Sequence, residues 1–237
     1  MNKKVIIGLC VGFAVLCIVS FAVILIAGGG VIGPIEAIAL DLEDAVAYFN
    51  RGNAYYREGD NDRAIAEYDQ AIALDPQLVH EAYYARGNAY FDKGDYDRAI
   101  ADFDQAIALD PQYLFAYVNR GIAYSVKGDY DRAIADYDQA IALDPQFADA
   151  YNARGAAYDN RWSAYDNKGD FDRAIADYDQ AIALDPLYAL AYHNRGNTYY
   201  LNGDYDRAIA DLEKALELGL HERAKQHAEG ILEDLGQ

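Results

Sequence analysis

The sequence predicts an all-α protein in which one transmembrane helix precedes a solenoid of short, stacked helix pairs. Two observations carry this prediction: an uncharged apolar run near the N terminus, and a motif that recurs five times behind it. The 237 residues include 39 Asp and Glu but only 20 Lys and Arg, so the formal net charge is −19. Because an acidic chain repels phosphate backbones, no nucleic-acid partner is expected.

Residues 1–30 are predicted to be a membrane anchor followed by a glycine linker. The apolar run Val5–Ala27 contains no charged residue and no proline. As a helix rising 1.5 Å per residue, it would extend about 34 Å and cross a hydrocarbon layer of about 30 Å. Lys3 and Lys4 precede it, which predicts a cytoplasmic N terminus and an extracytoplasmic position for the remainder. A cleaved secretory signal is the alternative, since small residues suited to a cleavage site end the run.

A single motif recurs five times in the rest of the chain. Each copy contains an Arg-Gly pair, and these glycines are spaced 35, 34, 34 and 41 residues apart at Gly52, Gly87, Gly121, Gly155 and Gly196. A tyrosine stands four residues before and three residues after each of them. A second glycine, two alanines separated by an aromatic residue or leucine, and in four copies an Asp-Pro pair complete the motif. Large apolar residues three, four and seven apart predict two amphipathic helices in each unit.

The two helices of a unit are expected to pack closely and antiparallel. The second glycine favours a left-handed helix end, and the aspartate after it is suited to cap the next helix. These aspartates are Asp60, Asp95, Asp129, Asp170 and Asp204. Small residues at the first glycine and at the alanines let the helices approach, while the aromatic residues fill the facing spaces. No unit buries its apolar faces alone, so the units must stack.

This motif resembles the tetratricopeptide repeat (TPR), whose aromatic, Gly, Tyr, Ala, aromatic, Ala and Pro positions match those above. The resemblance implies a right-handed TPR α-solenoid with a concave groove lined mainly by the first helix of each unit, acting as a protein–protein interaction scaffold. Ala37–Asp41 repeats the closing sequence of the full units. The predicted organisation is therefore a truncated repeat over 31–44, five TPR units over 45–222 and a C-terminal capping helix over 223–237.

Candidate binding residues follow from helix phase, since one face of each first helix points away from its partner helix. Asparagines recur on this face and offer both a donor and an acceptor, which suits the backbone of an extended peptide. Aromatic residues beside them provide apolar pockets. The predicted peptide-binding groove comprises Phe49, Asn50, Asn53, Tyr84, Asn88, Asn119, Asn194 and Asn197. The alternative is that these asparagines only solvate the helices.

An acidic peptide tail is a poor candidate ligand for this groove. The resemblance implies that a groove of the carboxylate-clamp kind carries Lys and Arg. The equivalent positions here hold Phe49, Ala85, Phe115 and Asn119, and only Asn53 fits that pattern. A protein or peptide partner of another chemistry is therefore expected.

No residue pattern predicts catalysis or a bound metal. The four histidines lack a ligand partner at helical spacing, and the Gly-Asp-Tyr-Asp segments lack the later glycine and glutamate of a calcium loop. We therefore expect no enzyme activity, no cofactor and no metal.

Two sets of arginines are assigned structural roles. Those before the first glycine of each unit are expected to bridge neighbouring helices: Arg51, Arg86, Arg120, Arg154 and Arg195. Those in the second helices are expected to form exposed pairs with the acid four residues later, as Arg98 would with Asp102.

The fourth unit contains seven additional residues that form a tandem copy around Arg161–Asn167. Seven residues turn a helix by about 700°, close to two full turns, so the insertion is expected to lengthen the first helix by about 10 Å without rotating its buried face. It contains the only tryptophan, Trp162. A tolerated duplication and a selected contact site are both open interpretations.

Together these features predict a membrane-anchored scaffold that binds a partner peptide in the concave groove. The alternative is a self-assembling structural element of the cell envelope, in which units of different molecules stack end to end. The polar stretch 226–237 argues against such stacking.

Overall fold

A computed structural model describes residues 24–25, 31–32, 34–74, 80–165 and 168–236. Most of the predicted membrane helix Val5–Ala27 lies outside the described residues, and its dipeptide Ile24–Leu25 forms a short strand. Within the described ranges, no helix has the length and the apolar character required to cross a membrane.

The described chain consists of helices joined by short turns, with one short strand pair before them. Strands β1 (Ile24–Leu25) and β2 (Val31–Ile32) pair antiparallel, with Ile24 opposite Ile32. The helices follow in the order α1 (Pro34–Arg57), α2 (Asn61–Leu74), α3 (His80–Asp92), α4 (Tyr96–Leu109), α5 (Leu114–Val126), α6 (Tyr130–Leu143), α7 (Ala148–Tyr165), α8 (Lys168–Leu184), α9 (Ala189–Leu201), α10 (Tyr205–Leu218) and α11 (Glu222–Asp234). Helices α1 to α10 pack as five consecutive pairs, each pair packs on the next, and α11 packs on α10 and α9. The predicted helical solenoid is confirmed.

Helix α1 extends further toward the N terminus than one repeat unit requires. The segment 31–44, predicted as a truncated repeat, falls partly in β2 and partly in the first turns of α1, which continues unbroken to Arg57. Four of the five full units end in Asp-Pro, where proline lacks the N–H that a continuing helix needs. Leu42 stands in place of that proline, so the helix is not interrupted there.

The turn inside the helix pair is built as predicted in four units. Between α3 and α4, Gly94 has a φ of 79°, a conformation that residues with side chains adopt only at a cost. Asp95 then accepts a hydrogen bond from the backbone N of Arg98 at 3.2 Å and caps α4. The same arrangement recurs at Gly59 and Asp60, at Gly128 and Asp129, and at Gly203 and Asp204.

The prediction that Asp170 caps the second helix of the fourth unit is wrong. Helix α8 begins at Lys168, so Asp170 lies in its first turn, and its side chain is fully buried. The Asp170 carboxylate accepts hydrogen bonds from Nε and Nη2 of Arg161 at 2.8 and 2.7 Å. Because Arg161 belongs to the insertion, the additional residues have replaced a helix cap by a buried ion pair.

The insertion lengthens both helices of the fourth unit, whereas only the first was expected to grow. Helix α7 has 18 residues against 13 in α3, and α8 has 17 against 14 in α4. Trp162 on α7 meets Phe171 on α8 edge to face, with ring centroids 5.9 Å apart. The lengthened α7 therefore packs on the first turn of α8 through Trp162.

Close contact between a glycine and a ring sets the distance between paired helices. A Cβ atom at Gly121 would lie 2.7 Å from the Tyr137 ring, and one at Gly87 would lie 2.7 Å from the Phe103 ring. Both rings are buried. The first glycine of the motif is thus required because the aromatic residue of the second helix already fills that space, as the sequence predicts.

The first set of arginines bridges helices as predicted. Arg86 on α3 donates from Nε and Nη2 to the two carboxylate oxygens of Asp102 on α4, and from Nη1 to Asp69 on α2. Arg120, Arg154 and Arg195 repeat this arrangement in the following units.

The predicted partners of the second set of arginines are wrong. Arg98 pairs with the capping residue Asp95, three residues earlier, and not with Asp102. Asp102 is buried and both of its carboxylate oxygens accept hydrogen bonds from Arg86, so the hydrogen bond of Arg98 goes to the less buried carboxylate of Asp95.

Candidate functional site

Successive first helices contact one another along the solenoid, so their outer faces form a continuous groove. Two clefts lie in it at the N-terminal end. One, of about 350 Å³, is lined chiefly by Phe49, Asn53, Tyr56, Tyr84, Asn88 and Tyr113. The other, of about 190 Å³, is lined by Tyr56, Asn88, Phe91, Asp92, Asn119 and Ile122. Because Tyr56 and Asn88 line both clefts, we treat them as one surface and call it the N-terminal groove.

Five of the eight predicted binding residues line the N-terminal groove: Phe49, Asn53, Tyr84, Asn88 and Asn119. Asn50 is exposed on α1 and lines neither cleft. Asn194 and Asn197 lie on α9, near the opposite end of the solenoid. The structure therefore brings most of the predicted set together on α1, α3 and α5.

The asparagines of the N-terminal groove bond partly to each other. Nδ2 of Asn119 donates to Oδ1 of Asn88 at 2.7 Å and lies 3.1 Å from the Tyr84 hydroxyl. Oδ1 of Asn53 accepts a hydrogen bond from the buried Tyr68 hydroxyl at 2.8 Å. Within the described part of the chain, Nδ2 of Asn88 and Oδ1 of Asn119 take no hydrogen bond, so a donor and an acceptor face the groove.

The predicted row of asparagines is interrupted in the fourth unit. Asn194 on α9 donates to Asn152 on α7 at 3.0 Å. Helix α7 carries Ala153 and Ala156 at the positions equivalent to Asn119 and Asn88. The asparagines consequently form two separate groups, one at each end of the solenoid.

An apolar stripe along α5 was missed at the sequence level. Phe115, Ile122 and Val126 are 51%, 36% and 52% exposed, large fractions for apolar side chains. Their spacing of seven and four residues places them on one helix face, and Ile122 lines the groove. Tyr113 adds to this surface, with its ring 4.9 Å from Tyr84 and 6.2 Å from Phe115. These apolar residues are departures of the third unit from the repeated motif. A prediction based on the positions that all units share therefore overlooks them.

Carboxylates stand at the edges of this apolar surface. Glu81 and Asp92 on α3 line the two clefts, and both side chains are exposed. Burial, together with a hydrogen bond to Asp92 and its negative charge, raises the pKa of Tyr56. On α7, Asp149 occupies the position equivalent to Glu81 and, after burial, is the main cause of the raised pKa of Tyr188. The local electrostatic potential is therefore negative.

A buried carboxyl group, that of Asp159, lies between the helices of the fourth and fifth units. Oδ2 of Asp159 accepts a hydrogen bond from the Tyr178 hydroxyl at 2.7 Å and lies 2.6 Å from Oγ1 of Thr198. Its Oδ1 is buried and takes no hydrogen bond in the described part of the chain. Burial raises the pKa of Asp159 to about 6, although both hydroxyl contacts favour the charged form. This carboxyl joins α7, α8 and α9.

A histidine pair joins the C-terminal helix to the last repeat. Nε2 of His193 on α9 lies 3.1 Å from Nδ1 of His227 on α11. Burial and the neighbouring His227 and His221 lower the pKa of His193, against a hydrogen bond to Asn194. Within the described residues, no group of three or more His, Cys, Asp or Glu side chains is arranged as a metal site.

Stacked helix pairs whose first helices line a continuous groove define a helical-repeat protein of the α-solenoid class. Models of the tetratricopeptide repeat match residues 35–79, 49–113, 103–135 and 189–219, and a further TPR model matches 126–160 and 163–203. The chain belongs to the tetratricopeptide repeat family. The family and fold are typical of non-enzymatic scaffolds.

Solved structures of other proteins share this fold. The crystal structure of MamA is 32% identical, with a TM-score of 0.61, and the match covers 70% of this chain and 93% of MamA. MamA of Desulfovibrio magneticus RS-1 is 25% identical, with a TM-score of 0.65 and coverage of 74% and 94%. YrrB, described as a TPR protein with an unusual peptide-binding site, is 26% identical, with a TM-score of 0.61 and coverage of 83% and 97%. None of the curated proteins matches the chain.

Proposed function

We propose that this protein is an interaction scaffold that captures a peptide segment of a partner protein in its N-terminal groove. The observation that carries the proposal is the pair of adjoining clefts across α1, α3 and α5, with Asn88 and Asn119 between them. An extended peptide presents backbone N–H and C=O groups at regular intervals, and these asparagines offer one acceptor and one donor to them. The peptide-binding site of the similar protein YrrB supports this assignment.

End-to-end self-assembly is the weaker alternative. Helix α11 covers the last repeat through Ala228, Ile231 and Leu232, which cluster with Leu212. A second copy would have to displace these buried contacts to stack on that end. The groove has no comparable cover within the described residues.

We also propose that Val5–Ala27 anchors the scaffold to a membrane, with the N terminus cytoplasmic and the solenoid on the other side. Its support is the length of the uncharged run and the two lysines before it. Carbonate extraction and protease protection of the full chain in membranes test this directly. Release by carbonate, or protection of the N terminus in place of the solenoid, would reject the anchor or its orientation.

Selection of binders from a displayed random-peptide library tests the scaffold proposal even though the natural partner is unidentified. Peptides selected on the full chain are expected to lose at least about tenfold in affinity against a variant carrying Asn88→Ala and Asn119→Ala. Asn202→Ala, in the turn between α9 and α10, is the matched control and should bind as the unchanged chain does. Circular dichroism establishes that all proteins remain helical. Equal binding by the groove variant and the control would reject the groove as the capture site.

A further inference from the structure

The exposed apolar stripe on α5, which we call the apolar floor, meets the N-terminal groove at Ile122 and has a defined length. Phe115 and Val126 are eleven residues apart on one face of α5, which corresponds to about 16 Å along the helix axis. About five residues of extended chain span that distance. Large exposed apolar side chains grouped on one helix face are typical of an interaction surface.

Negative charge borders this stripe. Glu81 and Asp92 line the clefts, and neither cleft is lined by a Lys or Arg side chain from the described residues. Arg86 and Arg120 bond to carboxylates of the second helices. The exposed Arg57 at the end of α1 is a cation near the first cleft, where its charge opposes the burial that raises the pKa of Tyr68. Lys93 and Lys127, at the ends of the turns, pair with Asp62 and Asp97.

We infer that the N-terminal groove selects a partner segment that combines apolar side chains with Lys or Arg. The apolar side chains cover Phe115, Ile122 and Val126. The cationic groups approach Glu81 and Asp92 in the groove, and Asp149 at the position equivalent to Glu81 on α7, the next first helix. Charge complementarity of this kind favours a cationic segment over an anionic one and accelerates the encounter. This inference rests on the proposed function, because it specifies the chemistry of the segment that the groove captures.

Fluorescence anisotropy with three labelled ten-residue peptides provides the test, using the full chain in a nonionic detergent. The first peptide alternates Leu with Lys, the second alternates Leu with Glu, and the third alternates Ser with Lys. We expect the first to bind at least about tenfold more tightly than either of the others at low salt. Its advantage over the Glu peptide should shrink as the salt concentration rises, because exposed charges are screened.

Two triple variants of equal net charge separate the groove from the general acidity of the protein. Glu81→Gln, Asp92→Asn and Asp149→Asn, the groove variant, remove charge from the two clefts and from the equivalent position on α7. Asp172→Asn, Asp206→Asn and Glu213→Gln remove the same charge from exposed positions on α8 and α10. We expect the groove variant to lose most of the preference for Lys over Glu, and the control variant to keep it.

The outcomes distinguish this inference from the proposed function. Binding that is indifferent to peptide charge, or equal losses in the two triple variants, would overturn the cationic assignment and leave peptide capture intact. Equal binding of the Leu and Ser peptides, or no effect of Ile122→Ser, would overturn the role of the apolar floor. Failure of every peptide, including those selected from a library, would overturn both proposals.

Discussion

Arg120 and Asp136 form a two-pronged ion pair that joins the first and second helices of the third unit. Nε and Nη2 of Arg120 donate to the two carboxylate oxygens of Asp136 at 2.9 and 2.6 Å, and the Asp136 side chain is only 6% exposed. Nη1 of the same guanidinium reaches Asp104 in the preceding unit. One side chain therefore links three helices across the boundary between two repeats.

Replacing Arg120 by alanine should lower the free energy of unfolding by about 3 kcal/mol, because Asp136 is then buried without its partner. Urea unfolding followed by circular dichroism measures the change. The double replacement Arg120→Met with Asp136→Leu should recover most of the loss, since no uncompensated charge remains. Arg132→Ala is the control for an exposed arginine in the same unit and should change stability little. Equal effects of Arg120→Ala and Arg132→Ala would contradict the role of burial.

Gly121→Ala should destabilise the protein by about 1–3 kcal/mol, because its Cβ would lie 2.7 Å from the buried ring of Tyr137. Gly230→Ala in α11 is the matched control, since a Cβ there meets no atom within 4 Å. Alanine favours a helix over glycine by up to about 1 kcal/mol, so Gly230→Ala should stabilise the protein slightly. The midpoints of urea unfolding should move in opposite directions, and a shift in the same direction would refute the proposed steric requirement.

The helix pairs and their turns were predictable because the same residues recur in every unit. A glycine facing a ring, or a glycine followed by a capping aspartate, has one structural explanation that applies at each copy, as at Gly87 and Phe103 or at Gly94 and Asp95. The prediction failed where a unit departs from the motif. Leu42 removes a proline break, and Arg161 draws Asp170 into the core.

The binding surface was predictable to a smaller extent. Helix phase placed Asn88 and Asn119 on the groove, but their mutual hydrogen bond depends on how two repeats stack. The spacing of four residues predicted an ion pair between Arg98 and Asp102. In the fold, the Asp102 carboxylate instead bonds to Arg86, which lies 16 residues earlier in the sequence. Contacts between units depend on the angle at which neighbouring helix pairs stack. The sequence of one unit alone does not determine this angle.

Asp159→Asn should make the free energy of unfolding depend less on pH as the pH rises. Burial raises the pKa of Asp159 from its usual 3.8 to about 6, so the folded state resists ionisation that the unfolded state accepts. The stabilisation by the protonated Asp159 carboxyl is complete below about pH 4 and is lost as the pH rises through 6. The loss in the free energy of unfolding is at most about 3 kcal/mol. The variant is therefore expected to gain stability relative to the unchanged chain between pH 4.5 and pH 7.5, measured by urea unfolding at both values. If the difference in the free energy of unfolding between the two proteins is the same at both pH values, the pKa of Asp159 is not raised.

Acidification should loosen the contact between α11 and the last repeat. The 3.1 Å contact between His193 and His227 needs one ring nitrogen to donate and the other to accept, so double protonation abolishes it. Because the pKa of His193 is lowered in the folded state, its stabilising contribution is complete above about pH 6.5 and is lost as the pH falls below that value.

Hydrogen exchange of the α11 amides measures this loss, with the amides of α5 as an internal reference. After correction for intrinsic rates, protection of Glu222–Asp234 should fall more than that of Leu114–Val126 between pH 7.5 and pH 5.5. A variant carrying His193→Phe and His227→Phe retains ring packing but has no group to protonate at either position. In this variant, amide protection of α11 and of α5 should change by the same factor. If amide protection of α11 and of α5 falls by the same factor in the unchanged chain as well, the histidine pair does not control the docking of α11.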